Sequence, residues 1–169
     1  MEYVVSVVSL DRPGLIADVT EVLAELGGNL MASSMTLLEG HFVWTLVVAV
    51  EATSAVLRER LIGVCPQGVT ITELDAAPAG GRVPVDEVIV SLHGMDRVGI
   101  VAAVTRAVAD AGGNIIGLST HLADGVYLGT VQVEFPAPAD VVGLDARLRE
   151  VGRDLGVVVR AHRVDADVL

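Results

Sequence analysis

The sequence is poor in cysteine, in aromatic residues and in basic residues. Cys65 is the single cysteine among 169 residues, so a disulfide within the chain is excluded, as is a metal site built from several cysteines. Aromatic side chains make up only 3% of the chain, and a core must therefore be built from Val, Leu, Ile and Ala. No run of about 18 uncharged apolar residues is present, so no membrane helix is predicted although 52% of the residues are hydrophobic.

The excess of acidic over basic residues gives a net charge of −11. This charge repels the phosphate backbone of nucleic acids, and no cluster of basic residues compensates for it. We therefore expect no direct binding to nucleic acid. The N-terminus begins Met1-Glu2 and lacks the basic and apolar regions of a signal peptide, so we expect a cytoplasmic protein.

Motifs of catalysis and of metal binding are also missing. No Ser/His/Asp order, phosphate-binding glycine loop or nucleophile elbow occurs. The four histidines lie in or next to different predicted strands without the spacing of metal ligands; they are His41, His93, His121 and His162. We predict no catalytic residue, no metal ion and no cofactor, and we expect that the chain is not an enzyme.

The most informative feature that is present is a duplicated segment. Half of the positions in a twenty-residue window recur 85 residues later without a gap, so the similarity is a duplication rather than shared composition. A fixed-period repeat with two copies predicts a tandem pair of small domains. The first copy is Asp11-Arg12-Pro13-Gly14-Leu15-Ile16-Ala17 with Gly27-Gly28-Asn29-Leu30, and the second is Asp96-Arg97-Val98-Gly99-Ile100-Val101-Ala102 with Gly112-Gly113-Asn114-Ile115.

Hydrophobic periodicity predicts the same order of elements, β-α-β-β-α-β, in both copies. Two β-α-β crossovers joined by a hairpin form a four-stranded antiparallel sheet with two helices on one face, which is a ferredoxin-like α+β unit. We predict domain 1 over residues 1–75, a linker over 76–85 and domain 2 over 86–169. The predicted elements are strands 3–10, 30–38, 42–50 and 69–74, and then 87–93, 115–122, 126–135 and 157–164; the helices are one from Pro13 to Leu26, one starting at Thr53 or Ser54, 98–111 and 139–155.

The abundance of valine in the predicted strands suggests that both faces of each sheet are covered. One face can pack on the helices of the same domain. We expect the other face to pack on another chain, which predicts a homo-oligomer, in the simplest case a dimer.

The candidate site is the turn between the first strand and the first helix. Backbone N–H groups around Gly14 and Leu15 favour a carboxylate, Asp11 would suit an ammonium group, and the amide of Asn29 can donate and accept. We expect Asn29, at the start of the next strand, to return near this turn. Together these groups describe a site for an α-amino acid, and the second copy repeats it with Asp96, Gly99, Ile100 and Asn114.

A purely structural interpretation of these residues stays open. An aspartate before a helix is a common cap, glycine is a common turn residue and Gly-Gly-Asn is a common helix exit. Duplicated folds also need duplicated turns, so recurrence of the polar set does not decide between the two interpretations.

With these motifs the sequence resembles the ACT domain, a small regulatory module of amino-acid metabolism. The resemblance covers nearly the whole chain and rests on Asp-Arg-Pro-Gly-Leu-Ile with Gly-Gly-Asn-Leu, and on Asp-Arg-Val-Gly-Ile-Val with Gly-Gly-Asn-Ile. It implies amino-acid binding between two domains, through the first β-α loop and the Asn after the first helix. Val98 replaces the proline of the motif, which leaves open whether the two sites are equivalent.

A chain of two ACT domains most resembles the glycine cleavage system transcriptional repressor group, whose members act through a protein partner. Our leading hypothesis is thus a non-catalytic regulatory protein that senses a small amino acid at ACT-domain interfaces and acts through a protein partner, with a role in transcriptional control of amino-acid (glycine) metabolism. The alternatives are a ligand-free protein-interaction module and the detached regulatory part of an amino-acid or one-carbon enzyme.

Overall fold

The computed structural model of the chain describes residues 1–75 and 86–164. They form two compact units, unit 1 within Met1–Gly80 and unit 2 within Gly81–Leu169. The predicted linker, 76–85, and the last five residues of predicted domain 2 lie outside the described residues. Within the described ranges, no helix combines the length and apolarity needed to span a membrane.

Unit 1 is a four-stranded antiparallel sheet with two helices. Its spatial strand order is β2-β3-β1-β4, as two crossovers joined by a hairpin require. Its elements are β1 (Glu2–Leu10), α1 (Leu15–Glu25), β2 (Asn29–Leu38), β3 (His41–Ala49), α2 (Ser54–Val64) and β4 (Val69–Glu73).

Unit 2 repeats this architecture with strand order β6-β7-β5-β8. The predicted fold class, two ferredoxin-like α+β units, is confirmed. The elements of unit 2 are β5 (Asp86–Met95), α3 (Ile100–Asp110), β6 (Asn114–Ala123), β7 (Val126–Phe135), α4 (Val141–Leu155) and β8 (Val157–Arg163).

The core of each unit lies between its helices and one face of its sheet. Alternate residues of the central strands are buried, as the period of two demands, and they meet the apolar stripe of each helix. In unit 1 the largest fully buried side chains are Tyr3, Leu15, Leu46, Leu57 and Leu61. The apolar residues Leu15, Val19, Val22 and Leu23 of α1 are buried, whereas Ile16 is 44% exposed.

Both hairpins predicted from Glu39-Gly40 and Asp124-Gly125 are present. All four residues have positive φ, between 48° and 77°. Two consecutive positive φ values define the type I′ turn, whose twist matches that of the flanking strands. These turns place the end of β2 next to the start of β3 and near the end of β1. In unit 2 they place the end of β6 next to the start of β7 and near the end of β5.

The starts of the helices differ slightly from the prediction. The first helix of each unit begins directly after a glycine, at Leu15 and at Ile100, so Pro13 and Val98 precede the helix rather than lie in its first turn. The helix predicted from Ala139 begins at Val141, because Asp140 caps it by accepting a hydrogen bond from the Gly143 amide at 2.9 Å.

Truncation of Leu61 should lower the free energy of unfolding by about 2–5 kcal/mol, the usual cost of a Leu→Ala change in a packed core. Leu61 is fully buried, whereas its neighbour Ile62 is 43% exposed. The matched variant Ile62→Ala should therefore change the free energy by less than about 1 kcal/mol. Urea denaturation of both variants measures the difference, and equal costs would contradict the assigned helix face.

The edge strand β8 is tied to α4 by Asp145. The Oδ1 atom of this carboxylate accepts a hydrogen bond from the Ala161 amide at 2.9 Å, and Oδ2 lies 2.5 Å from the Arg149 guanidinium. Burial alone would raise the pKa of Asp145, but the Ala161 amide and Arg149 outweigh it and hold the pKa below its usual value.

Asp145 should thus stabilise the fold at neutral pH and lose that contribution in acid. Because its folded pKa is depressed, the contribution is present above the unfolded pKa near 4 and is lost as the pH falls through the lower folded value. Asp145→Asn should therefore destabilise the protein at about pH 7, with the deficit shrinking below about pH 4. Denaturation at several pH values tests this, with the exposed Asp154→Asn as a control that should cost little.

Candidate functional site

The first helix of each unit starts from a glycine in the left-handed conformation. Gly14 has φ 84° and ψ −4°, and Gly99 has φ 95° and ψ −2°. Apart from its chain neighbours, a Cβ at either glycine would have no heavy atom of the described residues within 4 Å. Glycine is therefore required here by the backbone conformation and not by crowding.

Neither of these helices has a side-chain cap. The second helix of each unit is capped, by Thr53 in α2 and by Asp140 in α4. The first-turn amides of a helix have no acceptor inside the helix. In α1 the Leu15 amide donates to the Arg12 carbonyl oxygen at 3.4 Å, so the amides of Ile16 and Ala17 are the ones available to an anion. In α3 the amides from Ile100 onward are available, and the helix dipole favours negative charge at the same point.

The replacement of proline by Val98 does not alter this turn. Gly14 and Gly99 differ by only 11° in φ, and Val98 is fully exposed. The two turns therefore present the same backbone, although the side chain beside the glycine differs.

Asp11 and Asp96 do not cap the helices that follow them, so the structural interpretation of these residues as caps is wrong. Their backbone amides donate to the carbonyl oxygens of Gly40 and Gly125, at 3.3 and 3.1 Å, and this ties each turn to the neighbouring hairpin. Both residues are exposed. Within the described part of the chain, their carboxylates have no hydrogen bond or ion pair, so they remain free to meet a cation.

In unit 1 the turn borders a cavity of about 220 Å³. Its rim is polar, with Asp11, Arg12 and the Gly14 backbone. Its walls are apolar and come from the start of α1, the second half of β2 and the start of β3. The wall residues are Leu15, Ile16, Met35, Leu37 and Phe42.

Arg12 and Arg97 anchor the turns to the ends of the second helices. The Arg12 guanidinium donates to the Val64 carbonyl oxygen at 3.3 Å and pairs with Asp18 at 2.5 Å. The Arg97 guanidinium lies against Gly156, at the end of α4. A cation at a helix C-terminus is favourable, so this recurring arginine has a structural role that the sequence analysis missed.

Beside the Arg12 anchor lies the free cysteine. Cys65 is buried, and burial raises the pKa of its thiol, while the nearby Arg12 opposes this rise. A thiol with a raised pKa is a weak nucleophile. Cys65 is thus a core side chain and not part of the site.

The expectation that Asn29 returns to the turn of its own unit is wrong. Asn29 pairs with Ala49 at one end of the sheet, whereas Leu10 and Leu38 both pair with His41 at the other end. Eight residues of β3 separate the two ends, which is about 27 Å at about 3.4 Å per residue. The reason is topological: α1 runs antiparallel to β1, so the chain re-enters the sheet where β1 began.

Asn114 is displaced in the same way in unit 2. It pairs with Glu134, whereas Met95, next to Asp96, pairs with Val126 at the opposite end. Of the eight predicted site residues, each unit therefore brings together three: Asp11, Gly14 and Leu15 in unit 1, and Asp96, Gly99 and Ile100 in unit 2. The asparagine lies apart in each unit.

The two glycines before each asparagine are explained by the helix exit. The Gly28 amide donates to Leu23 and the Gly27 amide to Ala24, at 2.8 and 2.9 Å, with φ 68° at Gly27. This pattern is the Schellman motif, and it recurs after α3. The asparagines have no part in it: both are exposed, and among the described residues their side chains have no hydrogen-bond partner.

The apolar walls of the cavity were not predicted as part of a site. The candidate site predicted from the sequence includes none of Met35, Leu37 and Phe42. The predicted hairpin turn at Glu39-Gly40 could have indicated these walls, because a two-residue turn there pairs Leu37 with Phe42. A hairpin of this register brings the second half of β2 beside the β1–α1 turn.

Substitution of Gly14 by alanine should cost about 1–2 kcal/mol, the penalty for a left-handed residue with a Cβ. The matched control is Gly63→Ala in α2, where φ is not positive and the added Cβ also meets nothing within 4 Å. That change should stabilise the protein by about 0.5–1 kcal/mol. Thermal or urea denaturation shows whether each variant lowers or raises the free energy of unfolding. A stabilising Gly14→Ala would contradict the assigned turn.

Comparison with known proteins identifies the family of both units. The sequence profile of the ACT domain matches residues 3–61, and a second ACT-domain profile matches residues 86–162. A UPF0237 protein of Methanocaldococcus jannaschii is 33% identical over 79 residues, which is 46% of this chain and 88% of that protein. A UPF0237 protein of Pyrobaculum aerophilum is also 33% identical, over 46% of this chain and 87% of its own length.

Two crystal structures match almost the whole chain. A protein of unknown identity from Galdieria sulphuraria is 26% identical with a TM-score of 0.74, over 97% of this chain and 98% of that one. A candidate glycine cleavage system transcriptional repressor has a TM-score of 0.64 over 97% of both chains, and at 16% identity its similarity concerns the fold alone. The chain therefore belongs to the ACT-domain family and carries two ACT domains in tandem.

Proposed function

We propose that this ACT-domain regulatory protein is non-catalytic and senses a free, small α-amino acid at the β1–α1 turn. The observation that carries the proposal is that the side chains of the recurring aspartates and asparagines have no partner among the described residues of their own units, whereas the recurring arginines anchor the turns. The aspartates do not cap, and the asparagines take no part in the helix exit. Turn chemistry accounts for the recurring glycines but leaves these polar side chains unexplained.

The groups at the turn complement both charged ends of an amino acid. The uncapped amides at the start of α1 favour the carboxylate, and the free carboxylate of Asp11 favours the ammonium group. The cavity beside them has about 220 Å³ of space for the side chain. Sites for drug-sized ligands are larger, about 300–1,000 Å³, so the dimensions suit a single amino acid.

The asparagine then comes from another ACT domain. Asn29 is about 27 Å along the sheet from the turn of its own unit, so one small ligand cannot contact both. A ligand that contacts the turn of one domain and the asparagine of a second would join the two domains. Ligand binding would thus change the relative arrangement or the oligomeric state of the domains.

A homodimer is supported by the outer face of the sheet of unit 1. The three central rows of this face consist only of Val, Ala, Ser and Thr, in a chain of net charge −11. Such a face is suited to packing against another protein surface. The rows are Thr36-Val43-Val8, Ser34-Thr45-Ser6-Thr70 and Ala32-Val47-Val4-Thr72.

The effect of amino-acid binding would be transmitted to a protein partner in the cytoplasm. The charge of −11 opposes direct contact with DNA. A role in transcriptional control of amino-acid metabolism, including that of glycine, would therefore need a regulator that itself binds DNA. The sequence motifs, through their resemblance to the repressor group, support this extension of the proposal.

A screen of the melting temperature against the twenty amino acids at millimolar concentration tests the proposal. A ligand at 100 times its Kd should stabilise the protein by about 2.7 kcal/mol. Asp11→Asn and Asn29→Ala, both at exposed positions, should abolish the shift while leaving the unliganded melting temperature nearly unchanged.

The matched control is Asp75→Asn, an exposed carboxylate outside the cavity, which should retain the full shift. If no amino acid shifts the melting temperature, sensing is wrong and the ligand-free interaction module becomes the better explanation. The outer sheet face described above would then be the surface to test.

A further inference from the structure

We propose that the cavity of unit 1 selects an amino acid with an aliphatic side chain, in the size range from valine to methionine. This inference rests on the proposed function, because it concerns the side chain of the ligand that the β1–α1 turn would hold. It is carried by a different observation, namely the composition and exposure of the cavity walls.

The walls expose apolar side chains from three elements to one space. Met35 and Leu37 lie two residues apart, hence on the same face of β2, and they are 48% and 55% exposed. Ile16, from α1, is 44% exposed. These three side chains are incompletely covered by the core of their own unit, and an aliphatic group placed among them would remove further apolar surface from water.

The floor of the cavity is formed by buried, packed side chains. Phe42 is 3% exposed and pairs with Leu37 across the hairpin, and its ring packs edge-on against Trp44 with centroids 6.0 Å apart. Leu15 is likewise buried. A ligand side chain would thus contact a buried apolar floor and be flanked by the more exposed Met35, Leu37 and Ile16.

A cavity of about 220 Å³ with such walls distinguishes ligands by the side chain. Glycine would leave the apolar walls in contact with water. A charged side chain would lose hydration against those walls, and the Arg12 guanidinium on the rim is already paired with Asp18 and the Val64 carbonyl oxygen. Each methylene group in a hydrophobic pocket typically changes discrimination by about 10–200-fold. Leucine or methionine should accordingly bind at least about tenfold more tightly than glycine.

Unit 2 does not offer the same walls. The 85-residue offset relates Met35 to Thr120 and Phe42 to Tyr127, so hydroxyl-bearing side chains replace two apolar ones. Trp44 corresponds to Gly129, which removes the ring that supports the floor. The preference for an aliphatic ligand is therefore a property of unit 1, although both units share the turn and its aspartate.

Isothermal titration of the full chain with glycine, alanine, valine, leucine, methionine, serine and aspartate tests the selection. The expected affinity rises from glycine to leucine and methionine, and is lowest for aspartate. Leu37→Ala should weaken leucine binding about tenfold or more. The matched control is Leu38→Ala: Leu38 is similarly exposed, at 52%, but lies on the opposite face of β2, and its truncation should leave the affinity unchanged.

A second pair of variants assigns the preference to one unit. Met35→Thr should weaken leucine binding, whereas Leu122→Ala, at the position of unit 2 that corresponds to Leu37, should not. The inference is overturned, with the proposed function intact, if amino acids bind without regard to aliphatic size or if Leu122→Ala rather than Leu37→Ala weakens leucine binding. If the wild-type chain binds no amino acid at all, the proposed function and this inference both fail.

Discussion

The antiparallel return of the first helix along the first strand is the constraint on which the rest of this structure depends. In unit 1 it places the β1–α1 turn at one end of the sheet and the end of α1 at the other, and in unit 2 it does the same for β5 and α3. The hairpin between β2 and β3 then brings the end of β2 back to the first turn, where the Asp11 amide donates to the Gly40 carbonyl oxygen. Two features of a single motif are thereby about 27 Å apart, and an apolar stretch absent from the motif becomes the wall of the cavity.

The glycines of the motif are required by the backbone of this fold, whereas its aspartate and asparagine are not. Gly14 and Gly27 hold positive φ, and these torsions are conditions for the turn and for the helix exit. Asp11 and Asn29 meet no such condition, since their side chains have no partner in the described part of unit 1. The backbone of the turn also tolerates a change of neighbouring side chain, as Pro13 and Val98 precede glycines of nearly the same torsion angles.

The sequence was sufficient for the fold but not for the geometry of the site. Strand and helix order follows from apolar periodicity, and the hairpins follow from Glu39-Gly40 and Asp124-Gly125, because positive φ at two successive residues permits few alternatives. The position of Asn29 depended instead on which end of the sheet the chain re-enters, and proximity in sequence was a poor guide to that. Arg12 was equally hard to interpret, because its partner at Val64 is remote in sequence.

The separation of turn and asparagine bears on how an ACT domain of this kind could transmit a signal. A ligand held entirely within one domain would bind equally well to every arrangement of domains and so could not shift their equilibrium. If the turn and the asparagine both contribute to binding, a single unit offers only half of the contacts, and affinity depends on a second domain in the correct place. By linkage, whatever stabilises that arrangement must raise ligand affinity by the same factor by which the ligand stabilises the arrangement. Regulation would then require no conformational change within either unit, because a site completed only by a second domain couples ligand binding to domain assembly.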